Sequence, residues 1–385
     1  MTHHPRHIAH LDLDCFYVSV ERIANPSLIG KPVAVGGTPS GRGVVASASY
    51  EARRFGVRSA MPTGRALRLC PSLIVVRGHY KSYSETSDRL YRRLKDFAPV
   101  VERASIDEFY LDLTGTEALY QHDLPALLRF LQQVVADEFR LPCTISLASS
   151  KTIAKIATDQ VKPNGLAVVE HGREKQFLAP LPINVIPGVG PKTDEYLRKK
   201  GFTTVTDLQA LSSEQLAKLL GKHGTWLSRV VQGGGSETVH HSYVRKSIGK
   251  EETFAHDIGE AGRLETILFS LVEDVCSRLR AKHWKTRTVT LKIRYADFKT
   301  ITRAETVPAT NDDPAVFRTA CALLRRGYTR KLPLRLLGVQ LSHFLDEQDR
   351  ERELFAATDR RAPVLDAVEK IREKFGDDVI HVGGA

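Results

Sequence analysis

Apolar and polar residues alternate near the start of the chain, with Ala9, Leu11 and Leu13 in one set and His10, Asp12 and Asp14 in the other. Successive side chains of a strand point to opposite faces, so residues 7–14 read as a strand with one face to pack and one that carries acid. Residues 101–114 and 142–149 also read as strands. Between the first two, Tyr83, Leu90, Tyr91, Leu94 and Phe97 recur at helical spacing. The order is β-α-β-β-α-β with a long insertion, 18–78, after the first strand. That insertion holds Gly36-Gly37, Gly41-Arg42-Gly43 and the small-residue run Val44 to Ser49, the composition of a small subdomain with little bulk.

From 168 to 235 the pattern is helical, interrupted by Ile186-Pro187-Gly188-Val189-Gly190-Pro191-Lys192. Gly188 and Gly190 permit a tight turn, and the N–H groups of the following helix start can hold a phosphate; a plain helix–helix turn uses the same residues. A polar, Gly-rich stretch from Gly233 to His241 reads as a linker. After it the β-α-β-β-α-β order returns: strand 244–250, helix 261–282, strands 286–295 and 299–307, helix 314–327 and strand 335–344. The helix carries a stripe of Leu264, Ile267, Leu268, Leu271, Val275 and Leu279. In strand 286–295, Val289, Leu291, Ile293 and Tyr295 turn inward, and Thr288, Thr290, Lys292 and Arg294 turn out. With Arg245, Lys246, Lys250, Lys285, Lys299 and Arg303 close in sequence, that outer surface can follow a phosphate backbone or stand as a solvated basic face. The tail opens with a charged stretch, 346–353, and is expected to close with an amphipathic helix from Pro363 to Phe375. Its stripe is Val364, Leu365, Val368, Ile371 and Phe375, with Gly376 as cap, and it packs at home or docks on a partner.

Composition narrows the class. A chain of 385 residues has room for about two to four domains. No apolar run is long enough to span a bilayer, and the polar start reads as neither signal nor transit peptide. The five cysteines, Cys15, Cys70, Cys143, Cys276 and Cys321, are scattered and odd in number, which fits a reduced, cytoplasmic setting. The net charge of +11 points to an anionic partner, most simply nucleic acid.

The candidate chemistry lies in Asp12 and in Asp107-Glu108, within Ser105 to Asp112. Neighbours in a regular strand face opposite ways, so Asp107 and Glu108 reach one site only from a hairpin turn or bulge. Three carboxylates brought together repel unless divalent cations neutralise them, and hard Mg²⁺ prefers carboxylates together with phosphate oxygens. Metal-assisted phosphoryl transfer is the expectation. Against it stands the plain alternative that Asp-Glu in a turn is solvated surface.

Four segments then carry a family likeness: Asp12-Leu13-Asp14-Cys15-Phe16-Tyr17; Tyr50-Glu51-Ala52-Arg53-Arg54-Phe55-Gly56-Val57; Ser105-Ile106-Asp107-Glu108; and Ala154-Lys155-Ile156-Ala157 with Lys162-Pro163-Asn164-Gly165. In this order they resemble Y-family DNA polymerases of the DinB type, from about residue 7 to 344. The resemblance implies an α+β right-hand polymerase. Its ferredoxin-like palm would span 1–14 and 79–166, with small fingers at 15–78 and a helical helix-hairpin-helix thumb at 167–235. A linker, 236–243, a β-α-β-β-α-β little finger, 244–345, and a tail, 346–385, complete it. The implied activity is template-directed, low-fidelity, low-processivity DNA synthesis across lesions by a monomer acting on primer-template DNA and dNTP.

Position by position, the resemblance makes Asp12, Asp107 and Glu108, with the Leu13 carbonyl, ligands of two Mg²⁺ ions; oxygen ligands also suit Mn²⁺. Tyr50, Arg53 and Lys155 match triphosphate contacts, the backbone of Cys15, Phe16 and Tyr17 adds donors, and Ser47 falls beside the incoming base. Tyr17 matches the steric gate against a 2′-hydroxyl. Gly188, Gly190, Lys192, Arg245, Lys246, Lys292 and Arg294 are the expected DNA contacts. A sliding clamp would be met through Glu353, Leu354 and Phe355, a weaker match that lacks a leading Gln; Gln340 to Phe344 matches better by letter but belongs to the last strand. Two other classes fit parts of the pattern: a noncatalytic DNA-binding adaptor with a polymerase-like fold, and a nucleotidyl cyclase.

Overall fold

The computed structural model describes residues 6–241, 244–346 and five positions between 367 and 375. It divides into two units, 1–243 and 244–385.

In the first unit β1 (Ile8–Leu13) leads into α1 (Phe16–Ala24). The insertion continues as β2 (Val33–Gly36), β3 (Val45–Ala48), α2 (Tyr50–Arg54), α3 (Thr63–Leu69) and β4 (Ile74–Val76). Then come α4 (Tyr80–Leu94), β5 (Val100–Arg103), β6 (Glu108–Asp112), α5 (Leu124–Phe139), β7 (Cys143–Ala148), α6 (Lys151–Val161) and β8 (Leu166–Val168). The main sheet has the order β5-β6-β1-β7-β8, with β1 antiparallel to both of its neighbours. One face packs as expected: Ala9, Leu11, Leu13, Phe109, Leu111 and Ile145 join Tyr83, Leu90, Leu94, Leu128 and Leu131 in a single core. The acid-bearing face is not open. Helix α6 lies over it, and His10 is 0% and Asp12 only 6% exposed.

The insertion forms a three-stranded sheet, β3-β2-β4, over a small core of Ala34, Val45, Ala48, Ala52, Val57, Ala66, Cys70 and Leu73. Its leading helix α1 belongs instead to the main core through Phe16, Val18 and Val20. The helical segment contains α7 (Glu174–Leu178), α8 (Pro191–Lys199), α9 (Val205–Gln209), α10 (Ser213–Leu220) and α11 (Lys222–Val231). Their core continues into Ile153, Ile156 and Ala157 of α6. The Gly-rich stretch after α11 does not hang free. Ser236 O accepts from Lys151 N at 2.8 Å, His240 N donates to Glu102 at 2.8 Å, and Val239 is buried against Ile8 and Tyr110.

The second unit contains β9 (Ser247–Ile258), α12 (Ala261–Arg280), β10 (Trp284–Tyr295), β11 (Thr300–Thr310), α13 (Asp313–Gly327) and β12 (Leu334–Asp346). The sheet order is β11-β10-β12-β9, all antiparallel. Val289, Leu291, Ile293 and Tyr295 are buried with Leu264, Leu268, Leu271, Val275 and Leu279 of α12. Strand β9 outruns its expected end at 250, because the polar residues Glu251, Glu252 and Thr253 pair through their backbone with Gly338, Leu337 and Leu336 on one side of an edge strand. All five cysteines are buried, and none forms a disulfide. Among the described residues no helix is long and apolar enough to cross a membrane.

Candidate active site

Register brings the acids together. Asp12 on β1 stands opposite Glu108 on β6 and opposite Thr144 on β7, so these side chains share a face with His10 and Ser146. The hairpin expected around Asp107-Glu108 is present, with Ala104 N and Ser105 N both donating to Glu108 O. Leu13 N donates to Asp107 O at 3.0 Å, which ties the turn to the end of β1. Asp107 sits in the turn, where Ser105 Oγ donates to its Oδ1 at 2.5 Å. Asp12, Leu13, Cys15, Phe16, Tyr17, Ser47, Tyr50, Arg53, Asp107, Glu108 and Lys162 line one pocket.

Two ammonium groups balance the acids. Lys162 Nζ lies 2.7 Å from Asp12 Oδ2 and 3.0 Å from Asp159, and Lys155 Nζ lies 2.6 Å from Glu108 Oε1. Burial pushes the Asp12 carboxyl up, to about 7, against the pull of Lys162, and the Glu108 and Asp107 charges push it further up. Glu108 goes the other way, to about 2: burial raises it, but the nearby His10 and the hydrogen bond from Lys155 outweigh that. His10 is held below the ordinary imidazole range, chiefly by burial. Ligand atoms of His10, Asp12 and Glu108 lie within 4.8 Å of one another. A buried group of hard carboxylate oxygens, offset in this structure by lysine ammoniums, fits Mg²⁺ or Mn²⁺.

The residues around Tyr50 are organised by an acid that the motif pattern did not single out as a site residue. Asp14 is 2% exposed; its Oδ1 accepts from Tyr50 OH at 2.8 Å, and its Oδ2 accepts from Thr144 Oγ1 at 2.9 Å and Asn164 N at 2.8 Å. Asp14 thus joins α2 to the Lys162-to-Gly165 loop. Gly165 is required there, because a Cβ would stand 2.0 Å from Val161 O. Arg53 lies over the Tyr50 ring at 4.9 Å and donates from Nε to Ala48 O. Cys15 enters α1 at φ 48, its thiol 3.1 Å from Ala48 O, and burial raises that thiol to about 11. The first N–H groups of α1 have no partner within the helix, which leaves Phe16 and Tyr17 as backbone donors at the pocket wall.

Tyr17 stacks on Tyr83, with centroids 4.4 Å apart and planes 13° apart, and meets Tyr80 edge-on at 5.8 Å. Tyr83 OH donates to the buried Glu21 and accepts from His79 N at 3.0 Å. The pocket aromatic is therefore backed by a ring whose hydroxyl is fixed.

These arrangements match known proteins along nearly the whole chain. Residues 11–159 match the impB/mucB/samB family, 245–354 its C-terminal domain and 171–202 the IMS family HHH motif. The chain is 39% identical to the DNA polymerase IV of Dehalococcoides mccartyi, covering 98% of this chain and 97% of that one. The chain belongs to the impB/mucB/samB family of Y-family DNA polymerases. The DNA polymerase IV of Caulobacter vibrioides is 38% identical over 98% of this chain and 94% of its own. That of Listeria monocytogenes is 39% identical over 88% and 95%. The Y-family DNA polymerase chimera Dbh-Dpo4(243-245)-Dbh superposes with a TM-score of 0.81 at 27% identity, covering 88% of this chain and 99% of that one. Membership in this family makes the chain a DNA-directed DNA polymerase with an α+β fold.

The remaining candidates lie outside the pocket. Gly188 takes φ +96, and a Cβ there would press on the Trp226 ring at 3.3 Å; Gly190 caps α8 and Lys192 is exposed in its first turn. In the second unit Arg245 and Lys246 are exposed, Lys292 pairs with Glu251 at 2.6 Å, and Arg294 donates to Thr300 at 2.8 Å. Lys250 turns toward α12 and pairs with Asp274. Gln340 to Leu341 is paired on both sides within β12. Glu353, Leu354, Phe355 and most of the helix expected at 363–375 lie outside the described residues. Lys162 and Asp14 are the residues that motif reading left unassigned, although both lie inside motifs it had picked out.

Proposed function

We propose that the chain performs translesion DNA synthesis of low fidelity and low processivity, transferring dNMP from a dNTP to a primer 3′-hydroxyl by a two-metal mechanism. The observation that carries this reading is the single pocket that collects Asp12, Asp107 and Glu108 together with Tyr17, Tyr50, Arg53 and Lys162. The palm is assigned to 1–14 and 79–166, the fingers to 15–78, the thumb to 167–235 and the little finger to 244–345. Two Mg²⁺ ions held by Asp12, Asp107, Glu108 and the Leu13 carbonyl would supply charge neutralisation at the attacking and departing oxygens. The primer 3′-oxygen bonds to the α-phosphorus, the bond to the bridging oxygen breaks, and pyrophosphate leaves.

Arg53 and Lys162 bring fixed positive charge to the triphosphate, with Lys155 beside them through Glu108. The Tyr50 hydroxyl, held by Asp14, and the first N–H groups of α1 add donors. Tyr17, stiffened by Tyr83, excludes a 2′-hydroxyl by overlap. Ser47 stands beside the incoming base, in an insertion whose core is mostly alanine and valine. So little bulk checks the shape of a nascent pair weakly, and a damaged template base is tolerated. Gly188, Gly190, Lys192, Arg245, Lys246, Lys292 and Arg294 are assigned to the primer-template backbone. Glu353 to Phe355 is assigned to a sliding clamp, and deletion of 346–385 should remove clamp stimulation.

The test is primer extension with dNTPs and Mg²⁺, wild type beside an Asp107→Ala, Glu108→Ala double variant. Distributive, template-directed extension by the wild type alone is expected. No extension by folded wild type with Mg²⁺ or Mn²⁺ would leave the noncatalytic adaptor.

A further inference from the structure

Glu21, on α1, is only 6% exposed, and a buried acid is costly unless hydrogen bonds replace its water. Its partners come from the start of α4. The Tyr83 hydroxyl donates to Oε1, His79 N donates to the same oxygen at 3.3 Å, and His79 Nδ1 lies 2.9 Å from Oε1 and 3.1 Å from Oε2. The Tyr83 oxygen also accepts from His79 N at 3.0 Å, so its hydroxyl both donates and accepts inside the protein. Burial and the bond to Glu21 push the Tyr83 phenol above its ordinary range, and it keeps the proton that it donates. Tyr17 and Glu21 stand one turn apart on α1, on the same side of the helix. Tyr83 meets both of them: its ring stacks on Tyr17 at 4.4 Å, and its hydroxyl reaches Glu21. The Tyr17 ring itself is placed by aromatic neighbours, Tyr83, Tyr80 at 5.8 Å and Phe16 at 5.7 Å; among the described residues its own hydroxyl makes no hydrogen bond.

We propose that Glu21 is a positioning residue for sugar selection: by holding the Tyr83 hydroxyl it fixes the ring on which Tyr17 stacks, and so sets how firmly Tyr17 excludes a 2′-hydroxyl. Stacked rings tolerate a range of lateral offsets, so the stack alone leaves Tyr83 and Tyr17 free to slide in the plane of their rings. A hydrogen bond is far less tolerant of distance and angle. The bond to Glu21 therefore removes the freedom that stacking leaves. A 2′-hydroxyl is rejected by overlap, and overlap discriminates only against a ring that cannot yield. Because Glu21 and Tyr17 rise from one helix, any movement of α1 carries the ring and its anchor together. The inference rests on the reading of Tyr17 as the residue that excludes the 2′-hydroxyl. Glu21 also brings negative charge to the first turn of α4, a favourable place for it, but that role alone would act on stability and not on the choice of sugar.

The experiment uses the full chain on primer-template DNA with paired dNTP and rNTP. It compares wild type, Tyr17→Ala, Tyr83→Phe, Glu21→Ala, Glu21→Gln and the double variant Glu21→Ala, Tyr83→Phe. The readout is the ratio of kcat/KM for dNTP to that for rNTP, which does not depend on how much of a preparation is folded. Tyr83→Phe keeps the ring and loses the bond, and should lower the ratio roughly 2–10-fold, the worth of one aromatic pair. Glu21→Ala should do the same. The double variant should fall no further than either single one, because both remove one bond. Glu21→Gln, whose amide oxygen still accepts from Tyr83, should stay near wild type. If Tyr17→Ala lowers the ratio while folded Tyr83→Phe or folded Glu21→Ala leaves it unchanged, the inference is overturned and the reading of Tyr17 stands. A lower melting temperature with an unchanged ratio would make Glu21 no more than a cap for α4. Additive losses in the double variant would also overturn the inference, since two separate contacts would then be acting. If Tyr17→Ala itself leaves the ratio unchanged, the reading of Tyr17 fails.

Discussion

The sheet of the first unit and the sheet of the second come from the same β-α-β-β-α-β order, yet their polar faces meet different conditions. In the first, α6 covers the face that carries His10, Asp12, Glu108, Thr144 and Ser146. In the second, α12 and α13 pack on one face, and the other keeps Thr288, Thr290, Lys292 and Arg294 half-exposed. A covered polar group must find a fixed partner, whereas an open one trades partners with water. Hence Asp12, Asp14 and Glu108 are held at short distances by Lys162, Tyr50, Asn164 and Lys155. Lys292 and Arg294 make only surface contacts that a phosphate can replace, and such pairs are worth roughly 0–1 kcal/mol. One sheet concentrates charge at a point, and the other spreads it along a surface.

The comparison breaks most sharply on the covered face. Asp107→Ala with Glu108→Ala should lower kcat by at least about 10³-fold, since the charge stabilisation removed is worth several kcal/mol. Primer-template Kd should stay near wild type. Equal losses in kcat and in DNA affinity would mean that the two faces do not divide the work. Next in size is Tyr17→Ala. A hydroxyl forced against a packed ring costs about 1–3 kcal/mol, so removing the ring should raise ribonucleotide incorporation roughly 5–150-fold with dNTP use largely kept. Steady-state kcat/KM for paired dNTP and rNTP decides it. On the open face Lys292→Ala with Arg294→Ala should weaken DNA binding and reduce the slope of log K against log salt by about 0.9 per lost contact. The rate at saturating DNA should not move.

How far these two faces could be read beforehand differs in the same sense. Alternation in 286–295 directly gave the inward and outward sets of β10, because the open face leaves polar residues where the period-2 rule expects them. In β1 the same rule placed His10, Asp12 and Asp14 on one side correctly but says nothing of what covers that side. What buries it, α6, is about 140 residues away, and no local pattern reports that packing. Asp12 meeting Glu108 follows from hairpin and register, and the family motifs marked both. The partners that hold them, Lys162 and Lys155, come from the loop after α6 and from α6 itself, and Asp14 acts through Thr144 and Asn164. The Gly-rich stretch 233–241 was misleading for another reason. Its composition suits a free coil, but its backbone groups are taken up by Lys151, Thr152 and Glu102, contacts that composition does not record.

The smallest expected effect separates the two faces by proton alone. In the metal-free protein burial raises Asp12 to about 7, while an unfolded Asp titrates near 4. A raised folded pKa favours the protonated fold, so this contribution is complete below about pH 4 and is lost as pH rises to about 7. Glu108, lowered to about 2, contributes the opposite way: its stabilisation is present above the unfolded value and is lost only as pH falls toward 2. Of these two groups, only Asp12 changes its contribution between pH 4 and 7. Metal-free wild type should therefore lose stability relative to Asp12→Asn across that window. Mg²⁺ should restore stability increasingly as pH rises, because the cation competes with a proton on the same oxygens. Glu251→Gln on the half-exposed ion pair of the second sheet should leave the pH profile unchanged, since both of its charges are screened by water. Thermal melts from pH 4 to 8, with and without Mg²⁺, measure all three. A profile for Asp12→Asn that parallels the wild type would show that the covered face does not strain Asp12, and the contrast between the two sheets would then rest on geometry alone.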